Sequence, residues 1–127
     1  MVPKDLKYTK EHEWVRIEGA EAVVGITDHA QKALGDITYV ELPRAGRNVA
    51  PHESVCVVES VKAASDVFAP LGGTVAAVNP ALEDAPEQIN RSPYGEGWLY
   101  RLQPFDAAGI AALMTPEAYA AHIAGKK

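Results

Sequence analysis

Lys62 stands at a short break between two apolar runs, in the stretch Val57-Val58-Glu59-Ser60-Val61-Lys62-Ala63-Ala64-Ser65-Asp66-Val67-Phe68-Ala69-Pro70. An amine held on the tip of a hairpin is a candidate for covalent modification, and function is often carried on a loop presented by a rigid scaffold. A lysine in a turn is ordinarily just a solvated charge. Three features set this one apart. Its neighbours Val61 and Ala63 are small or apolar, so nothing charged pairs with the amine locally. Both arms are apolar enough to be rooted in a core, which fixes where the turn lies. Glu59 and Asp66 stand on either side, close enough to mark the site for a modifying enzyme without covering it. Modification of this amine would make the chain a carrier of chemistry performed elsewhere.

Other chemistry finds little support. His12, His29, His52 and His122 do not have metal-ligand spacing, and Cys56, the single cysteine, adds no CxxC pair. Cys56 lies in the apolar run Val55-Cys56-Val57-Val58 and reads as a buried, inert thiol that can form no intrachain disulfide. Asp28-His29 is accompanied by no GxSxG elbow, so Asp28 reads as a helix cap and His29 as a surface or packing residue. With no base–nucleophile pair, nucleotide loop or metal set, a self-contained enzyme is not expected. Trp14 and Trp98 read as core. Glu13, taken alone, reads as an exposed strand carboxylate.

The elements that must position Lys62 are mostly short strands. Glu13-Trp14-Val15-Arg16-Ile17-Glu18 and Ala22-Val23-Val24-Gly25-Ile26 flank a Gly19 break and predict a hairpin. Thr27 or Asp28 caps a short helix that Gly35 stops. Ile37-Thr38-Tyr39-Val40-Glu41-Leu42 alternates as a half-buried strand does. Strands are also predicted over 55–58, 64–69, 74–78 and 98–102, with a long loop over 79–90. Alanine-rich residues 107–113 and 116–124 have helical spacing, with Thr115 as N-cap and Pro116 in the first turn of the second helix. Pro43-Arg44-Ala45-Gly46-Arg47-Asn48-Val49 is echoed by Pro70-Leu71-Gly72-Gly73-Thr74-Val75, which hints at two related halves with Lys62 on the hairpin between them. The expectation is a mainly β fold, a β-sandwich or partly open barrel, with a helical appendix.

A chain of 127 residues is most simply one domain, and it can bury a core without metal or disulfide staples. The net charge of −5, with no Lys/Arg block, argues against a nucleic acid or an anionic membrane as partner. No secretory h-region or membrane-length apolar run is present, and the N-terminus lacks the Arg/Ser-rich look of a transit peptide. A cytoplasmic protein is expected, or a mitochondrial one if a presequence has been removed.

Glu59-Ser60-Val61-Lys62-Ala63-Ala64-Ser65-Asp66 resembles the lipoylation segment of the glycine cleavage system H protein family. The resemblance extends to His12-Glu13-Trp14, Val24-Gly25-Ile26-Thr27-Asp28-His29-Ala30, Gly35-Asp36-Ile37 and Val40-Glu41-Leu42-Pro43. It continues through Ala69-Pro70, Gly73-Thr74-Val75, Asn79, Ile89-Asn90, Ser92-Pro93-Tyr94 and Gly97-Trp98-Leu99, so that it runs from about residue 6 to 102. Biotin carriers flank their lysine with methionine, and here the flanks are Val61 and Ala63. Conventional lipoyl domains lack the long N-terminal part and the terminal helices.

The resemblance implies a lipoyl-domain-like β-sandwich or flattened barrel, a barrel-sandwich hybrid, as one domain over 1–127 with a core of about 6–102 and a helical appendix of about 105–124. It implies lipoic acid in amide linkage on Lys62, with Glu59, Ser60, Val61, Ala63 and Asp66 as the flanks read by lipoyl-attaching enzymes. The arm would take an aminomethyl group from glycine decarboxylase to an aminomethyltransferase, and dihydrolipoyl dehydrogenase would reoxidise it. This protein would be a non-catalytic, monomeric carrier that supplies tether and address. Glu13, and Asp66 likewise, would line a cleft that shelters the loaded arm, where a carboxylate could hold the cationic amine. Glu11 stands where some members carry a short hydroxyl residue. The same hairpin would also serve an H-like lipoate relay or store that donates lipoyl groups to other enzymes.

Overall fold

The structure, a computed structural model, describes residues 2–124. In chain order the elements are β1 (Lys7–Tyr8), β2 (Glu13–Glu18), β3 (Glu21–Ile26), α1 (Asp28–Leu34), β4 (Ile37–Glu41), β5 (Asn48–Val49), β6 (Ser54–Ser60) and β7 (Ala64–Phe68). They continue as β8 (Gly73–Val78), α2 (Ala81–Asp84), α3 (Gln88–Arg91), β9 (Tyr100–Phe105), a 3-10 turn (Ala107–Ala112) and α4 (Pro116–Ala124). Two antiparallel sheets form: a six-stranded one in the order β1-β2-β3-β9-β8-β5, and a three-stranded one in the order β4-β6-β7. The mainly β sandwich with one helix in the first half and helices at the end is therefore what folds. The sheets remain separate and do not close into a barrel.

The main core lies between the sheets. Val15 and Val24 come from the large sheet, Val40, Val58 and Val67 from the small one, and all are buried. Strand alternation places Cys56, Val58 and Val67 inward, while Glu59 and Asp66 face out. A second, smaller cluster of Leu6, Tyr8, Trp14, Val23 and Tyr119 fills the other face of β2 and β3. There Trp14 lies opposite Gly25 in the register, and its indole covers the glycine so closely that a Cβ would sit 2.6 Å from the ring.

The β2–β3 hairpin turns at Gly19, whose φ of 61° suits glycine. Thr27 is the cap of α1: its hydroxyl accepts from the Ala30 N–H at 3.2 Å. Asp28 is instead the first helical residue and accepts from the Gln31 side chain. Thr115 caps α4 as expected. The two echoing segments pair with each other, Asn48 opposite Thr74 and Val49 opposite Gly73.

Several expectations are corrected. Residues 79–90 are not a plain loop. They hold α2 and most of α3, helices of four residues each, too short to show a period. The strand expected over 98–102 is β9, which starts at Tyr100 and runs on through Phe105. The helix expected over 107–113 is a 3-10 turn. Here Gly109 passes so close to Leu71 that a Cβ would stand 3.0 Å from it. The two-residue strands β1 and β5 are additions.

Candidate functional site

Lys62 sits at the tip of the β6–β7 hairpin, whose last paired residues are Glu59 and Ala64. The tip is internally bonded. The Ser60 N–H donates to the Ala63 carbonyl at 2.7 Å. The Ser60 hydroxyl accepts from the backbone N–H groups of Lys62 (3.3 Å) and Ala63 (3.2 Å). A serine whose side chain closes its own turn in this way restrains the backbone on both sides of the lysine. The Val61 N–H donates to the Asp36 carbonyl at 3.1 Å, which ties the tip to the α1–β4 connection.

That connection is itself fixed by a residue the sequence marked only as part of a motif. The Asn90 side chain accepts from the Ile37 N–H (2.9 Å) and donates to the Gly35 carbonyl (2.9 Å) and the Gln31 side chain (2.8 Å). An amide with one acceptor and two donors, all used, holds α1, the following turn and β4 in one arrangement. The Lys62 stem then runs past Gly35, with its Cε 3.6 Å from where a Cβ there would stand. The lysine is exposed and, among the described residues, forms no ion pair. Val61 beside it is 71% exposed. Of the flanks, Glu59 faces solvent, and Asp66 faces solvent and accepts from the Ser54 hydroxyl at 3.1 Å.

Glu13 is not an exposed carboxylate. It is 2% exposed, in the stretch of β2 that is buried on both faces. Its two oxygens have separate donors: the Thr9 hydroxyl at 2.5 Å and the backbone N–H of Phe68 at 3.0 Å. The Thr9 oxygen in turn accepts from the Glu13 N–H at 3.1 Å. Burial pushes the carboxyl up to about 7, the two hydrogen bonds pull it back, and Glu11 adds a smaller upward push. The group is thus poised to change charge near neutrality. Phe68 ends β7, two residues beyond Asp66, so Glu13 and Asp66 lie along the same stretch of the strand that leaves Lys62. A cavity of about 290 Å³ opens beside Thr9, bounded by Glu11, His52, Pro70, Leu113 and Met114.

The remaining candidates pack within the fold. Burial pushes the Cys56 thiol up to about 12, which keeps it protonated and inert. The Trp14 indole is fully buried and donates to the Pro93 carbonyl at 2.9 Å. Trp98 is half-buried beneath the Arg101 guanidinium. His29 packs against His12 with 4.6 Å between ring centroids.

The family model described as the glycine cleavage H-protein matches residues 6–126. A glycine cleavage system H protein from a Psychrobacter species is 59% identical over 123 residues, covering 96% of this chain and 98% of the relative. One from Thermus thermophilus is 55% identical, covering 93% and 92%. Among solved structures, a glycine cleavage system H protein from Mycobacterium marinum superposes with a TM-score of 0.88 at 42% identity, covering 97% of this chain and 99% of that one.

Proposed function

The chain belongs to the glycine cleavage H-protein family, and on that premise we propose that it is the lipoyl carrier of that system, with Lys62 as its attachment site. The observation that carries the assignment is an exposed amine, without an acid partner among the described residues, on a hairpin tip closed by Ser60 and anchored to Asp36. Those features fit an amide-linked lipoyl group: the amine is reachable, and its backbone is held still. Lipoate on Lys62 would supply the disulfide that takes up the aminomethyl group at glycine decarboxylase, yields it at the aminomethyltransferase, and is restored by dihydrolipoyl dehydrogenase.

The chain's own residues do the presenting. Glu59, Val61, Ala63 and Asp66 form the exposed border of the tip, the face a lipoyl-attaching enzyme would read, and Ser60 sets its shape. Glu13 meets the cationic amine of the cargo when the arm folds back along β7. A buried carboxyl that ionises near neutrality can lose its proton as a cation arrives, and it then holds that cation by a charge-assisted hydrogen bond. Asp66, two residues before Phe68, adds a second negative charge on the approach. Exclusion of water there protects a group that would otherwise decompose. The protein visits its enzymes as a monomer.

The test is modification with a lipoate ligase followed by peptide mapping. We expect one lipoylated peptide, containing Lys62, and none in Lys62→Ala. Modification that persists in the variant would refute the assignment. In the second arm, the decarboxylase exchanges labelled bicarbonate into glycine only with the lipoylated protein, and equal rates with the apo form would remove the carrier role.

A further inference from the structure

We infer that Tyr119 is a positioning residue for the sheltering side of the molecule, holding the turn that leads into Glu13 and the first turn of α1 in one geometry. The inference rests on the proposed shelter of the loaded arm by Glu13.

Tyr119 is fully buried on α4, with its ring stacked on Tyr8 at 4.5 Å between centroids and 8° between planes. Its hydroxyl meets two polar atoms from different parts of the chain, His12 Nδ1 and Thr27 Oγ1, each at 2.8 Å. A phenol has one proton to give and can also accept, so it serves both partners at once by donating to one and accepting from the other. Burial pushes it up to about 12, so it stays a neutral donor throughout the range in which Glu13 titrates.

Each partner sits at a decisive place. Thr27 Oγ1 already accepts from the Ala30 N–H, so the phenol fixes the group that caps α1. His12 directly precedes Glu13 and has a φ of 75°, a left-handed backbone that a non-glycine residue rarely adopts. Its N–H donates to the Thr9 carbonyl and its carbonyl accepts from the Thr27 N–H. The direction in which Glu13 leaves the turn depends on that conformation. Helix α4 holds the same turn a second time, where His122 Nε2 lies 3.3 Å from the Lys10 carbonyl. The His12 ring is bracketed by His29 at 4.6 Å and His122 at 5.8 Å. The C-terminal helix therefore grips the segment that aims Glu13 and the N-terminal end of α1, while the Lys62 tip is held by other groups, Ser60, Asp36 and Asn90, at the far end of that helix.

The test uses three full-length lipoylated proteins: wild type, Tyr119→Phe and Glu13→Gln. Phenylalanine keeps the stack on Tyr8 and removes both hydroxyl contacts. We expect Tyr119→Phe to be lipoylated at the wild-type rate and to shed its aminomethyl cargo at least about fivefold faster, fivefold being the scale of a single lost hydrogen bond where two are removed. Amide exchange at Ala30 should rise by a similar factor while exchange along β6 stays unchanged, a split that general destabilisation would not produce. Both measurements are made well below the variant's own melting midpoint. Wild-type cargo lifetime in Tyr119→Phe, alongside faster loss in Glu13→Gln, would overturn the positioning role and leave the shelter standing. Equal lifetimes in all three would overturn both.

Discussion

At the residue scale, Lys62 and Glu13 are opposites. Lys62 is exposed, and among the described residues the fold places hydrogen bonds on its backbone and none on its amine. Glu13 is enclosed, and both its oxygens are occupied. Enclosure has a measurable consequence. The carboxyl rises from 4.5 to about 7 on folding, so the folded chain binds this proton more tightly than the unfolded chain does. Its contribution to stability is therefore full below about pH 4.5 and is lost as the pH rises through about 7. The loss is on the order of 3 kcal/mol at about 1.4 kcal/mol per pH unit. We expect urea unfolding of the wild type to show this decline between about pH 5 and 8, and Glu13→Gln to show a flatter profile. A wild-type profile that stays level over that window would mean the carboxyl is not enclosed in solution. Glutamine is an imperfect neutral substitute, because it offers one acceptor oxygen where Thr9 and Phe68 each have their own.

At the element scale, the β2–β3 hairpin sets the platform, and Gly25 is its tightest point. A Cβ there would stand 2.6 Å from the Trp14 ring, inside any permitted contact, and the buried indole is fixed by its bond to Pro93. Gly25→Ala should cost about 2–3 kcal/mol by forcing the ring from its seat. Thermal melting would read this directly, and an unchanged midpoint would show that the indole can relax. The same hairpin shows what a local pattern can reveal. The Gly19 turn, α1 between Thr27 and Gly35, and the Lys62 tip between two apolar arms were all legible, because each is written in adjacent residues. The burial of Glu13 was not. Nothing in Glu13-Trp14-Val15 says that this end of β2 is covered on both faces, since the covers come from β7 and from α4. Asn90 reaches partners 53 to 59 positions away, and Tyr119 reaches Thr27 across 92, so their roles appear only once the chain has folded. The four-residue helices α2 and α3 escape for a different reason: a single turn has no period to detect.

At the scale of the whole molecule, the two buried clusters are not separate bodies. Val15 and Val24 point into the main core, while their neighbours Trp14 and Val23 point into the small one, so β2 and β3 are shared walls. The C-terminal helix that read as an appendix contributes the fully buried Tyr119 to the small core, and Met114 just before it pairs with Tyr8 of β1. With common strands, neither cluster can open without exposing the back of the other. We therefore expect one cooperative unit. Two intrinsic probes can tell one unit from two. Tryptophan fluorescence reports the small cluster, which contains Trp14 and against which Trp98 packs, and alkylation of Cys56, protected by burial in the native fold, reports the main one. Their urea midpoints should coincide. Removal of residues 116–127 takes away the Tyr119 ring, so stability should fall by about 3–5 kcal/mol, the range for loss of a large buried aromatic. Both midpoints should then move together. A tryptophan transition that shifts while the Cys56 transition stays in place would mean that α4 and the small cluster form an independent layer, and the grip on Glu13 would then be adjustable without cost to the hairpin that carries Lys62.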